Sequence, residues 1–161
     1  MKRTMCTVGL AMLAWVAMPA FATAASGRVA SLNERIQGAD TVVVATVTGV
    51  NANWKQNDFG DLLIVSHVGL RVDETLKGAG DSAVSMDLEG GSVQGITLRV
   101  SDLPQLAPGD KAVFFLDKGA SGERVPHLRG QGILKLDDNG LVKGSSLSVD
   151  DIRRSVRSVA K

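Results

Sequence analysis

Fifteen residues, Leu62 to Leu76, constrain the fold more than any other stretch of this chain. Ile64, Val68, Leu70 and Val72 share one parity, and His67, Arg71 and Asp73 share the other. A repeat of two residues belongs to a β-strand with one dry and one wet face. A strand this long can serve both halves of a curved sheet, so it directs the chain toward a mainly β fold.

The neighbouring segments agree. Thr41 to Val50 is rich in valine and threonine and reads as a strand, with an apolar run from Val42 to Ala45 that implies burial on both faces. Asn51 to Asp61 is polar and reads as a connecting loop or a loosely paired strand end, carrying Trp54 and Phe59. Ala83 to Glu89 alternates with Val84, Met86 and Leu88 inward. Gly90-Gly91 then breaks the pattern, and Ile96, Leu98 and Val100 resume it. Leu103 to Ala107 is a loop anchored by Pro104, and Pro108-Gly109-Asp110 is a turn. Lys111 to Leu116 reads as a buried strand, and Val125 to Leu136 as a strand region interrupted by Gly130 and Gly132. Asp137-Asp138-Asn139-Gly140 carries an Asn-Gly hairpin signal.

Two helices flank these strands. Ser31 and Glu34 form a capping box ahead of Leu32 to Gln37, and Gly38 suits the helix end. Residues 148–159 form the terminal helix, with Ser148 and Asp151 at its start. Val149, Ile152, Val156 and Val159 line one face, and Arg153, Arg154 and Arg157 the other. The predicted fold is a small Greek-key barrel of five to seven strands, of the OB type, with a short N-terminal helix and a C-terminal helix. An open sandwich is the alternative.

Residues 1–24 read as a cleaved secretory signal peptide rather than as part of this fold. Lys2 and Arg3 precede an apolar stretch from about Val8 to Phe21, and Ala22-Thr23-Ala24 fits a small-x-small cleavage site. The apolar stretch is shorter than a bilayer span and contains Pro19, so no stable membrane anchor is expected after cleavage. Residues 25–161 then form one domain in the periplasm or outside the cell. Cleavage removes Cys6, the sole cysteine, and turns the formal charge from +1 to −1. A chain without thiols has no disulfide, no thiolate nucleophile and no cysteine-held metal.

The series Ala39-Asp40-Thr41-Val42-Val43-Val44-Ala45-Thr46-Val47, Val68-Gly69-Leu70-Arg71-Val72, Leu76-Lys77-Gly78 and Gly90-Gly91 carries a resemblance. So do Leu103 to Asp110, Val113-Phe114-Phe115-Leu116 and Gly130-Gln131-Gly132. Together they resemble a group of small, uncharacterised secreted bacterial proteins over most of the chain beyond residue 24. More distantly, the pattern is similar to the netrin-like domain of the metalloproteinase inhibitors (the TIMP-like domains). That resemblance implies an OB-type barrel followed by a helix, and protein binding. The inhibitors hold the target zinc through an N-terminal cysteine, and this mechanism has no counterpart in a chain whose sole cysteine is Cys6.

No catalytic set emerges. His67 and His127 lie on different predicted strands, with no third ligand at a familiar spacing. Ser92 follows Gly90-Gly91 but lacks the second flanking glycine and the helix of a nucleophile elbow. Gly78-Ala79-Gly80-Asp81-Ser82-Ala83 lies between strands with no helix to receive a pyrophosphate. The Asp137 to Gly140 turn lacks the distal glutamate of a calcium loop. No metal and no cofactor are therefore expected.

The four aromatics beyond residue 24 are Trp54, Phe59, Phe114 and Phe115, and the charge is near zero, so nucleic acid is not an expected partner. Trp54 and Phe59, in the segment joining the first two strands, are the candidate binding residues, with His67 and Arg71 on the wet face beside them. The function expected is a secreted, non-enzymatic module contacting a protein partner through loops at one barrel end. A secreted protease inhibitor or accessory factor is the alternative, and an enzyme with a His-based metal site is a third reading.

Overall fold

Valine-rich strands buried on both faces organise this molecule. The computed structural model describes residues 28–57, 59–119 and 122–159. The expected signal peptide, with Cys6, lies outside the described residues.

The chain runs α1 (Leu32–Gly38), β1 (Thr41–Gln56), β2 (Leu62–Lys77), β3 (Ala83–Glu89), β4 (Gly91–Val93), β5 (Ile96–Leu98), β6 (Lys111–Lys118), β7 (Arg124–Pro126), β8 (Ile133–Lys135) and α2 (Val149–Val159). Six strands form one sheet in the order β1-β2-β3-β7-β6-β8, and β1 also pairs with β6. The sheet thus returns on itself as a partly closed ring. The weak point is the seam between β3 and β7, where the pairing is parallel and consists of Met86↔Arg124.

The ring has two cores. Val43, Ala45, Val47, Val68, Leu70 and Phe114 are among the residues filling its inside. Val42, Val44, Val113 and Phe115 point outward and pack beneath the helices against Ile36, Ile152 and Val156. The continuous apolar runs in β1 and β6 follow from this: successive side chains enter different cores, and all are dry. Phe114 and Phe115 are both fully buried.

The helices are held by their ends. Ser31 and Glu34 make the reciprocal capping box expected of them. At the other end of α1, Lys77 Nζ donates to the carbonyls of Ile36 (2.7 Å), Gln37 (3.2 Å) and Ala39 (2.6 Å). A lysine at the end of β2 therefore satisfies carbonyls that a seven-residue helix cannot pair internally. In α2, Ser148 Oγ accepts from Asp151 N, while Ser148 N donates to Asp151 Oδ2.

Two expectations are resolved and one needs correction. Of the two readings of Asn51 to Asp61, residues 51–56 take that of a strand end, paired with β2 residue for residue from Asn51↔His67 to Gln56↔Leu62. Polar residues suit this part of β1 because its outer half faces water. Ile96 to Leu98 does not continue the main sheet. It folds onto β4 as a two-stranded ribbon, because Gly90 and Gly91 take φ of 101° and 132° and turn the chain out of β3. Finally, the break expected at Gly130 and Gly132 within Val125–Leu136 is a 3-10 turn at Arg129–Gly132 that separates β7 from β8. Thus the expected five to seven strands become six in the main sheet and two in the ribbon.

Candidate functional site

Trp54 sits on β1 itself, opposite Ile64 on β2, and not in a loop. By the two-residue repeat, Trp54, Gln56, Leu62 and Ile64 share one face of the β1–β2 hairpin, with Trp54 and Leu62 diagonal neighbours. The burial on that face changes abruptly. Ile64 is 1% exposed, whereas Trp54 is 43% and Leu62 67% exposed. The ribbon covers the inner part: a Cβ on Gly91 would lie 2.8 Å from Ala52 Cβ and 2.5 Å from Ser66 Oγ, so only glycine lets β4 come this close. Beyond the ribbon the hairpin tip is bare.

The turn at the tip is ordered by Asn57. Its Oδ1 accepts from the backbone N–H of Phe59 (3.0 Å) and of Asp61 (2.8 Å), while Asn57 N donates to Asp61 O (2.9 Å). Gln56 Nε2 adds a bond to Gly60 O, and Gly60 takes φ of 89°. Asparagine side chains support turns in this way. The consequence is that Phe59 stands 90% exposed on a hydrogen-bonded turn. Ile96, on the ribbon, is 57% exposed. An exposed aromatic or aliphatic group at the end of a tied hairpin has no role in the core and is suited to contact.

The opposite face of the same hairpin borders the seam. A cleft of about 470 Å³ lies there, with Lys55, Leu63 and Val65 on one side and Val125, Pro126 and Arg129 on the other. Its rim is charged. Lys55 Nζ lies 3.0 Å and His67 Nδ1 2.9 Å from the Asp87 carboxylate. Burial pushes the Asp87 carboxyl up, but the hydrogen bonds and charges of His67 and Lys55 outweigh it and hold the group below its ordinary value. Arg129 bridges Asp102 (2.7 Å) and Glu89 (2.9 Å), which raises its own pKa and lowers that of Asp102. Leu128 and Arg129 both adopt left-handed backbone, with φ of 54° and 57°, a conformation costly for residues with a side chain. That backbone places the guanidinium across the open seam.

The four expected binding residues therefore divide. Trp54 and Phe59 come together at the hairpin tip. His67 and Arg71 lie on the opposite parity of β2, three and seven residues beyond Ile64, and turn away from Trp54. Arg71 Nη2 is 3.3 Å from Asp73, which also accepts from Thr46 Oγ1 (2.8 Å) and faces Lys111 (3.5 Å). The two histidines do not meet: His67 is on Asp87, and His127 Nδ1 is 2.7 Å from Asp117. Among the described residues no three His, Cys, Asp or Glu side chains are grouped to hold a metal ion.

The remaining motifs resolve into structure. Ser92 Oγ lies 2.7 Å from Thr97 Oγ1 across the ribbon. Asp137 Oδ1 accepts from Asn139 N and Leu141 N, closing the Asp137–Gly140 turn. On α2, Arg153 is shared between Glu74 (2.6 Å) and Asp150, and Arg154 is paired with Asp151. In a polar depression of about 650 Å³ beside this helix, Asp73 lies on Lys111, and Asp110 is paired with Lys135.

Sequence reasoning missed Leu62, Ile96 and Arg129. Leu62 is legible as a strand residue, but only the tertiary structure leaves it 67% exposed opposite Gln56. Arg129 carried no signal beyond its neighbouring glycines. Comparison with known protein families finds no matching family model, and comparison with curated proteins finds no match.

Proposed function

We propose that this chain is a secreted, non-enzymatic binding module that contacts a protein partner through the tip of its β1–β2 hairpin. In this reading the partly closed ring is a small Greek-key barrel of the OB type, as the netrin-like resemblance implies. One observation carries the proposal: Phe59 is 90%, Leu62 67% and Trp54 43% exposed at the end of a hairpin whose turn Asn57 holds in place. Exposed aromatics on a pre-ordered element lose little entropy on binding, which is the property of interface anchors. The pairing of β1 with β2 and, over Thr41–Thr46, with β6 supports the barrel reading, because it closes the sheet along that half of β1.

The test is retention of a partner from the native compartment on immobilised protein, compared with Trp54→Ala and Phe59→Ser. Each substitution is expected to weaken binding by about 2 kcal/mol or more, as anchor truncations do. Phe59→Ser should change the unfolding free energy by no more than about 0.5 kcal/mol, since the side chain contributes nothing to the core. A partner held equally well by wild type and both variants would remove the hairpin tip from the interface.

A further inference from the structure

We propose that the outer half of β1 is an interaction edge, and that a second copy of this chain adds its own β1 there, antiparallel, about a two-fold axis at Trp54. The proposal rests on the hairpin-tip reading in taking Trp54 as a contact residue, and it names the partner met there.

The first support is the backbone. Gly90 N donates to Ile64 O, so Ile64 turns its polar groups toward β3. Trp54 stands opposite Ile64, and by the alternation of an antiparallel pair its N–H and C=O point away from β2. The register is unbroken from Gly49 to Gln56, so Ala52 and Gln56 point theirs the same way. On that side β6 pairs with Thr41 to Thr46, and Gly109 and Asp110 then bond to Val47. Past Val47 no strand continues the sheet. Among the described residues, no backbone hydrogen bond meets the outward groups of Ala52, Trp54 or Gln56. β4 lies over the sheet face at Ala52 but pairs with β5 alone.

The second support is the lack of an edge guard. Exposed edges are normally protected by charge, proline or a bulge. Residues 49–56 contain no proline, and their pairing with β2 shows no register shift. Their single charged residue is Lys55, whose Nζ lies 3.0 Å from Asp87 on β3. That side chain therefore reaches across β2, away from the open edge.

Self-complementarity selects a second copy as the occupant. With the axis at Trp54, the outward groups of Trp54 pair reciprocally with those of Trp54 in the second copy, and Ala52 pairs with Gln56. Lys55 falls opposite Asn53, so no like charges meet. The two half-exposed indoles lie side by side on one face, each beside its own buried Ile64. The formal charge of the chain is +1, or −1 without residues 1–24, so long-range repulsion between copies is small.

Sedimentation of the purified protein should show a dimer forming between about 10 μM and 1 mM, the range of a small transient contact. Amide exchange at Ala52, Trp54 and Gln56 should slow as concentration rises, while Asn51, Asn53 and Lys55 are protected throughout. Gln56→Pro removes an N–H that the monomer does not use, and should weaken the dimer about tenfold or more. Asn53→Asp, placed opposite Lys55, should strengthen the dimer about fivefold, and Asn53→Lys should weaken it by a similar factor. These two exposed changes keep the test open if Gln56→Pro fails to fold. A monomer at every concentration, or a dimer indifferent to both Asn53 substitutions, would overturn the proposal. So would a dimer abolished by Phe59→Ser and untouched by Gln56→Pro, which would place the contact on apolar side chains alone. Protection of the three edge amides only on adding a different protein would give the edge to that protein's strand and overturn it too. Capture of another protein and its loss in Phe59→Ser do not depend on the dimer, so the hairpin-tip reading and this proposal can fail separately.

Discussion

Lys77 illustrates how one side chain can join three elements. It ends β2, yet its ammonium group serves the carbonyls of Ile36, Gln37 and Ala39 at the end of α1. Replacing Lys77 with methionine keeps most of the aliphatic stem and removes the donors. Two of the three bonds are part-buried, so the carbonyls lose partners that water replaces only in part. The expected loss is about 1–3 kcal/mol, read from urea unfolding. Ser66 shows the same economy within β2: its hydroxyl, almost fully buried, donates to Gly90 O at 2.7 Å and fixes the point where the chain leaves β3.

Among the elements, α2 is the cover of the outer core. Ile152 is fully buried and Val156 nearly so, and both seal the outer core over Phe115. Its start depends on the reciprocal bonds of Ser148 and Asp151. Ser148→Ala should cost about 1 kcal/mol in chemical unfolding, the usual value for a lost N-cap. Two of the three arginines of this helix are already paired. Arg153 ties the helix to Glu74 on β2, and Arg154 pairs with Asp151 within the same turn of helix. Anionic vesicles should therefore bind the protein weakly, an expectation that co-sedimentation at low salt can check.

At the scale of the whole molecule, the ring is unevenly closed, and this predicts an order of opening. β1 is paired on both sides along its first half, whereas β3 and β7 share one residue pair. Amide exchange should be slowest at Val43, Val44 and Val113 and markedly faster at Glu89 and Val125. The charge network predicts the response to acid. Arg153 holds Glu74 low, and Arg129 holds Asp102 low. At Asp110 burial acts upward, but Lys135 and the Ala107 N–H outweigh it. A carboxyl with a lower pKa in the folded state binds more protons when unfolded. Its stabilisation is present above the unfolded value, about pH 4, and is lost as pH falls through the folded value. Unfolding temperature should thus be level near neutrality and decline below about pH 4, a trend calorimetry can follow.

The sequence by itself determined the elements whose signals are local. The alternation in Leu62 to Leu76, the Ser31–Glu34 box, the Asn139-Gly140 turn and the amphipathic α2 each depend on residues a few positions apart, and each forms as read. It also marked Trp54 and Phe59 as unusual. Tertiary structure decided everything that depends on distant pairing. Asn51 to Gln56 becomes strand because β2 lies beside it, overriding a polar composition that favours a loop. Ile96 to Leu98 leaves the sheet because two glycines turn the chain. Trp54 and Leu62 stay bare while Ile64 is sealed, because the ribbon covers one and stops short of the others. Arg129 reaches Glu89 and Asp102 from left-handed backbone that no local pattern announces. Periodicity reports which face a side chain takes. What covers that face is set by how distant segments fold over it, and the hairpin tip lies where that cover ends.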